Sequence, residues 1–241
     1  MEFPIDLQDV GVSYRGRAVL QGLDLKVRAG EISGFIGPNG AGKTTTIKAI
    51  LGLVVPSRGR VLLNGLPPSD ARSRRTVGFL PEETTYYRYL NPEEILSFYG
   101  RLFGLAGAEL QRRIGELIAL VGLEAYRRKP VGQLSKGTAQ KIGLAQALVN
   151  DPDVLILDEP MSGLDPLSRL GLRSILSGLK KRGKTVFFSS HELSEVELIC
   201  DSLAIVNEGR VIRSGPIKNV LESTGEKSLE QFYLHTIRGG A

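Results

Sequence analysis

The chain has 241 residues, 31 Lys and Arg against 26 Asp and Glu, and a net charge of +5 at pH 7. Hydrophobic residues make up 41% and charged residues 24%, the balance of a folded domain and not of a disordered chain. No apolar run approaches the ~18–20 residues that span a bilayer, the acidic start Met1-Glu2-Phe3-Pro4-Ile5-Asp6 is unlike a secretory signal, and a single cysteine, Cys200, fits a reducing compartment. These features predict a cytosolic α/β or α+β protein. The basic pairs and triplets (Arg74-Arg75, Arg112-Arg113, Arg127-Arg128-Lys129, Lys180-Lys181-Arg182) are dispersed, as on solvated faces, and do not form the stripe of a nucleic-acid binder.

The first elements are strands. Ile5, Leu7, Val10, Val12 and Tyr14 alternate with one slip, which predicts a strand with a bulge. Leu23, Leu25 and Val27 alternate as well. An apolar stretch, Ile32 to Ile36, then leads into Gly37-Pro38-Asn39-Gly40-Ala41-Gly42-Lys43-Thr44. This matches G-x-x-x-x-G-K-[ST], set between a strand and a helix as a phosphate cradle requires. Glycines let consecutive N–H groups face one anion, and the helix N-terminus adds roughly half a positive charge. Lys43 can reach the β- and γ-phosphates of a nucleotide, and the Thr44 hydroxyl can ligate Mg²⁺. The helix over Thr44–Leu53 carries Ile47, Ile50 and Leu51; Val61 with Leu63 and Val77 with Phe79 mark two further strands.

From Asn91 the period changes to helical. Asn91 is an N-cap candidate, Pro92 suits the first helical position, and Glu93-Glu94 suit the positive end of the dipole. Ile95, Phe98, Leu102 and Phe103 are expected on one face. Leu110, Ile114, Leu117 and Val121 mark a second helix, stopped by Gly122. Ile142, Ala145, Leu148 and Val149 mark a third, beginning near Ser135. A helical insert between strand-bearing flanks follows.

Val154-Leu155-Ile156-Leu157 is uninterrupted apolar, as a strand buried on both faces should be. It ends in Asp158-Glu159-Pro160, two acids that are costly at the end of a buried strand unless they meet a cation. Asp158 would hold Mg²⁺ and Glu159 would polarise an attacking water. Asp165-Pro166 opens a helix with Leu170, Ile175, Leu176 and Leu179, and Thr185-Val186-Phe187-Phe188 is a second buried strand. The alternation predicts parallel, right-handed βαβ units. Asn207-Glu208-Gly209 predicts a hairpin.

With these motifs in view, the chain resembles the nucleotide-binding subunits of ABC transporters, from about Tyr14 to about Gly215. Leu134-Ser135-Lys136-Gly137-Thr138-Ala139-Gln140 resembles the family's signature, Ser162-Gly163-Leu164-Asp165 its D-loop, His191 its switch histidine, and Tyr14 the aromatic that stacks on adenine; an ordinary strand aromatic is the alternative for Tyr14. The resemblance implies a P-loop NTPase (RecA-like) α/β core with a small antiparallel β subdomain and an inserted helical subdomain. It divides one ABC ATPase domain, 1–241, into a core (1–82 and 150–220), a helical signature subdomain (83–149) and a C-terminal helical tail (221–241). It implies ATP and Mg²⁺ as cofactors. Catalysis falls to Glu159, His191 and Lys43. Nucleotide binding falls to Tyr14, Gly37, Pro38, Asn39, Gly40, Ala41, Gly42, Lys43, Thr44 and Thr45, with Ser135 and Gly137 reaching the nucleotide of a second copy. The metal falls to Thr44, Asp158 and Glu82.

The implied partners are a second, identical ATPase subunit and a transmembrane permease, at the cytoplasmic face of the cell membrane; no nucleic acid is expected. Glu82 stands where the family usually has Gln, Lys136 replaces the first signature Gly and Thr138 the Gln. These departures, and the tail Ser228–Leu234, resemble the export and drug-resistance branch. Lys136 either adds charge toward the partner's nucleotide or faces solvent. Tyr86, Tyr87 and Tyr89 either form a groove for a permease helix or pack between subdomains. His235 is read as a plain tail residue. Two other functions compete: a soluble ABC ATPase acting on nucleic acid or ribosomes, and a catalytically silent nucleotide sensor. The single cassette opposes the first, and intact Glu159 and His191 oppose the second.

Overall fold

The computed structural model describes residues 1–224, 226 and 228–238; residues 225, 227 and 239–241 of the expected tail lie outside them. Two sheets organise the fold. β1 (Ile5–Tyr14), β2 (Arg17–Val27) and β4 (Arg58–Leu63) form an antiparallel sheet in the order β2-β1-β4. The larger sheet has six strands: β3 (Ile32–Ile36), β5 (Val77–Leu80), β6 (Val154–Leu157), β7 (Thr185–Ser190), β8 (Ser202–Asn207) and β9 (Arg210–Pro216). Their order is β5-β6-β7-β3-β8-β9, parallel except for the terminal β8–β9 hairpin.

The slip in β1 is a register shift between Gln8 and Gly11, with Asp9 at φ 48°. It lets Ile5, Leu7, Val10 and Val12 all face inward, each no more than 2% exposed. The central strands β3, β6 and β7 of the large sheet are buried on both faces, and alternation sorts the sheet's side chains. Val154, Ile156, Phe35, Phe187, Ala204 and Val206 face the small sheet and α1 (Lys43–Ile50). Leu155, Leu157, Val186, Phe188, Leu203 and Ile205 face the helices. Phe187 and Phe188 are fully buried on opposite faces, each contributing roughly 1.5–3 kcal/mol.

The helical segment between β5 and β6 contains α2 (Pro92–Leu102), α3 (Gly107–Leu120) and α4 (Lys136–Ala147). α2 starts with a full capping box: Glu94 N–H donates to Asn91 Oδ1 at 3.0 Å, and Asn91 N–H donates to Glu94 Oε2 at 2.9 Å. Glu93 also takes the Arg127 guanidinium at 2.8 and 3.0 Å, which holds its carboxyl below the usual range. The expected face of α2 is corrected by the structure. Ile95 and Leu96 are buried, whereas Phe98, Leu102 and Phe103 are 58%, 66% and 48% exposed. α3 packs tightly on α2 at Gly100, where a Cβ would stand 2.4 Å from Leu110 Cδ1, and Phe98 and Leu102 lie on the opposite side of the helix.

After β6, α5 (Pro166–Lys181) starts at its N-cap Asp165, whose carboxylate accepts from Ser168 N–H at 3.0 Å. Its buried stripe is Leu172, Leu176 and Leu179, while Leu170, expected inside, is 56% exposed. α6 (Leu193–Ile199), α7 (Ile217–Thr224) and α8 (Leu229–Arg238) complete the fold, and Leu229 and Phe232 of α8 join the helix-side core. Among the described residues no helix is long and apolar enough to cross a membrane.

Candidate functional site

Three neighbouring strands of the large sheet, β6, β7 and β3, deliver their C-terminal ends to one edge. β3 runs into the loop 37–42 and α1. At Gly37 a Cβ would stand 2.3 Å from the Val206 carbonyl oxygen, and at Gly42, with φ 107°, a Cβ would stand 2.7 Å from Leu20 Cδ2. Only glycine fits at these two places, so the loop closes tightly, with Ala41 N–H donating back to the Pro38 carbonyl at 3.2 Å. The β8–β9 hairpin tip locks it from behind: Gly209 N–H donates to the Ala41 carbonyl at 3.0 Å and the Gly209 carbonyl accepts from Gln21 N–H at 2.9 Å.

Lys43, the first residue of α1, is 7% exposed. Its Nζ donates to the Gly37 carbonyl at 2.7 Å and lies 3.2 Å from Glu159 Oε1. Glu159 follows β6 with φ 49°, a left-handed conformation uncommon outside glycine, and is itself 7% exposed. Its other carboxylate oxygen, Oε2, lies 2.8 Å from His191 Nδ1, just beyond β7. Lys43, Glu159 and His191 therefore form one continuous chain of polar contacts.

Ser189 of β7 holds the two acids in place. Its hydroxyl donates to Asp158 Oδ1 at 2.6 Å and accepts from Glu159 N–H at 2.9 Å. Asp158 is 2% exposed, and its N–H donates to the Leu80 carbonyl at 2.8 Å, tying it to the strand end that precedes Glu82. The sequence pattern does not single out Ser189. Two consecutive serines closing a fully buried strand were the available signal.

The cleft over the loop has a volume of about 870 Å³. Pro38, Asn39, Gly40, Gly42, Lys43, Thr44 and Thr45 line its floor, with Glu82 and Glu159 on one wall. Tyr14 lines it too and is 45% exposed, so its ring is open to a planar base. Arg17, Gln21 and Glu208 also line it and were not foreseen; they arrive by sheet pairing and by the hairpin, which spacing in the sequence does not reveal. The donor set is hard oxygen (Thr44 hydroxyl, Asp158, Glu82), the kind that holds Mg²⁺ together with substrate phosphates. Among the described residues no three His, Cys, Asp or Glu side chains cluster as a metal site by themselves.

Ser135 and Gly137 are not among the residues lining this cleft. Ser135 is the N-cap of α4, its Oγ accepting from Thr138 N–H at 3.2 Å. Lys136 is exposed and lies over the following turn: a Cβ at Gly163 would be 3.7 Å from its Nζ. The tyrosines divide. Tyr86 is partly buried, its hydroxyl donating to Gln146 Oε1 at 2.9 Å, and burial raises its pKa. Tyr87 and Tyr89 are 71% and 72% exposed and stacked, with ring centroids 5.6 Å apart.

A glycine-rich phosphate loop after β3 and two acids after the parallel strand β6, one strand away across β7, in a sheet whose central strands are buried on both faces, define a P-loop nucleotide-binding protein. The model of the ABC transporter family matches residues 20–162, and the chain belongs to that family. It is 48% identical over 204 residues to an ABC transporter ATP-binding protein of Synechocystis sp., covering 84% of this chain and 58% of that one. It is 41% identical over 222 residues to the Nod factor export ATP-binding protein I of Burkholderia lata, covering 91% and 73%. The chain thus spans less than two thirds of the cyanobacterial relative. Among solved structures, an ATP-binding subunit of an ABC transporter superposes with TM-score 0.89 at 34% identity, covering 97% and 99%. A dimeric bacterial ABC transporter cassette superposes with TM-score 0.82 at 25% identity, covering 88% and 98%.

Proposed function

We propose that the chain is an Mg²⁺-dependent ATPase that works as an ATP-sandwiched homodimer and drives a separate membrane permease, in the direction of export. The observation that carries this reading is the Lys43–Glu159–His191 chain at the mouth of the phosphate loop. Lys43 and the loop N–H groups bind the phosphates, and a triphosphate offers Lys43 a stronger anion than Glu159. Glu159, released, accepts a proton from the attacking water while His191 orients it and the γ-phosphate. Thr44, Asp158 and Glu82 would hold Mg²⁺, which supplies charge neutralisation at the phosphates. Tyr14 stacks on the base. Ser135 and Gly137, turned away from the chain's own cleft, reach the γ-phosphate bound by the other copy; the dimeric relative supports that assembly.

Export rests on the Nod factor export relative and on the altered signature. The permease and the position at the cytoplasmic face of the membrane rest on the family. We divide the chain as expected above, into core (1–82, 150–220), helical subdomain (83–149) and tail (221–241). Glu159→Gln tests the assignment: it should bind ATP, accumulate as dimer and lose about 10²- to 10⁴-fold in turnover. Hydrolysis by this variant at the native rate would remove Glu159 from its role.

A further inference from the structure

One side chain joins the segment carrying His191 to the turn that follows Glu159. Arg169, in α5, donates from Nε to the Leu164 carbonyl at 3.0 Å. Its two terminal nitrogens grip both oxygens of Glu192, with Nη2 to Oε1 at 2.9 Å and Nη1 to Oε2. Nη1 also lies 3.6 Å from Glu195 Oε1, and Arg173 Nε lies 3.5 Å from Glu195 Oε2. Glu192 occupies the N-cap of α6, yet its side chain makes no capping bond. Its carboxylate is given to Arg169 instead.

The position of this fork matters because of what lies beside it. The His191 side chain is 50% exposed, so packing does not fix its ring. Its backbone is held on one side by β7 and on the other by Glu192, whose N–H donates to Ser190 Oγ at 2.9 Å. The planar, bidentate guanidinium sets both distance and angle, and the pair is only about a quarter exposed on each side. Arg169 therefore ties the segment after His191 to the turn 162–165 that follows Glu159.

We propose that Arg169 is a positioning residue of the hydrolytic site, acting through Glu192 to keep His191 on Glu159. This deepens the ATPase reading above and rests on it for its kinetic arm only. His191 and His235 are the two histidines of the chain, so side-chain ¹⁵N spectra of the labelled full chain resolve the His191 imidazole. In Arg169→Met the His191 ring-nitrogen signals should leave their native positions and move toward those of a free, solvated imidazole. Turnover should fall about ten- to a hundredfold with KM for MgATP unchanged, as for a misplaced group outside the substrate contacts. Arg169→Lys keeps the charge but not the fork and should fall between.

Unchanged His191 signals in Arg169→Met overturn the proposal, whether turnover holds or falls together with stability. If Arg169→Met does not fold, Arg169→Lys decides: native His191 signals and native turnover overturn it. A wild-type chain without hydrolysis would sink the ATPase reading, while the spectra would still judge the positioning.

Discussion

Ser189→Ala is the most direct perturbation of the acid pair. The Ser189 hydroxyl is the shared partner of Asp158 Oδ1 and of Glu159 N–H, at 2.6 and 2.9 Å, and Ser189 is 0% exposed. A hydrogen bond to a charged group is worth about 1.5–3 kcal/mol, and a buried donor left unpaired costs about 1–3 kcal/mol. One oxygen serves both, so the two terms overlap and the expected loss is about 2–4 kcal/mol. Glu159 also holds φ 49°, a conformation that costs roughly 1–2 kcal/mol. Without its N–H anchored it should relax, and turnover should drop at least about tenfold. Urea unfolding monitored by far-UV circular dichroism gives the first quantity from the midpoint at constant slope; steady-state ATP hydrolysis gives the second. A stability loss under about 0.5 kcal/mol with native turnover would refute the claim that β7 holds the two acids.

Glu93 yields a pH-dependent prediction. Its carboxyl is held low by Arg127, so the stabilisation is complete above the ordinary glutamate value of about 4.3 and is lost as pH falls through the lower folded value. The gap in Tm between the native chain and Glu93→Gln should be present at pH 7 and close progressively below about pH 4; a gap independent of pH would remove the ion pair as its cause. The exposed ring stack provides a docking test: Tyr87→Ala and Tyr89→Ala should weaken co-purification with the proposed permease and leave nucleotide binding intact, and native co-purification of both would exclude them from the contact. Tyr86→Ala should instead lower stability, because Tyr86 is bonded to Gln146.

What could be read from the sequence follows from how local each signal is. The phosphate loop, the Asn91 N-cap and the Asp165 helix start are settled within a few consecutive residues, and each is found in the structure where its spacing placed it; the reciprocal Glu94 bond that completes a capping box was not foreseen. The buried strands were legible because a strand covered on both faces has no polar alternation to lose. Phe98, Leu102 and Leu170 were misjudged because the 3.6-residue period marks an apolar stripe but not which neighbour covers it; the close crossing at Gly100 decides that for α2.

Strand order was the other hidden quantity, and the site depends on it. Nothing in the chain order 3, 6, 7 says that β7 lies between β6 and β3. The ladders Ile36↔Ser190 and Leu157↔Phe188 put it there. A residue at the end of a central strand can touch both of its neighbours. That is why Ser189 reaches the two acids after β6, while His191, two residues on, meets the glutamate that also binds the lysine of the β3 loop. Had β3 paired directly with β6, the loop and the acids would still be adjacent, but the histidine would approach from an outer strand with no serine between the carboxylates and the sheet. The catalytic assignment of Glu159 and His191 and the structural weight placed on Ser189 therefore rest on one topological fact. A loss of turnover without loss of stability in Ser189→Ala would separate them.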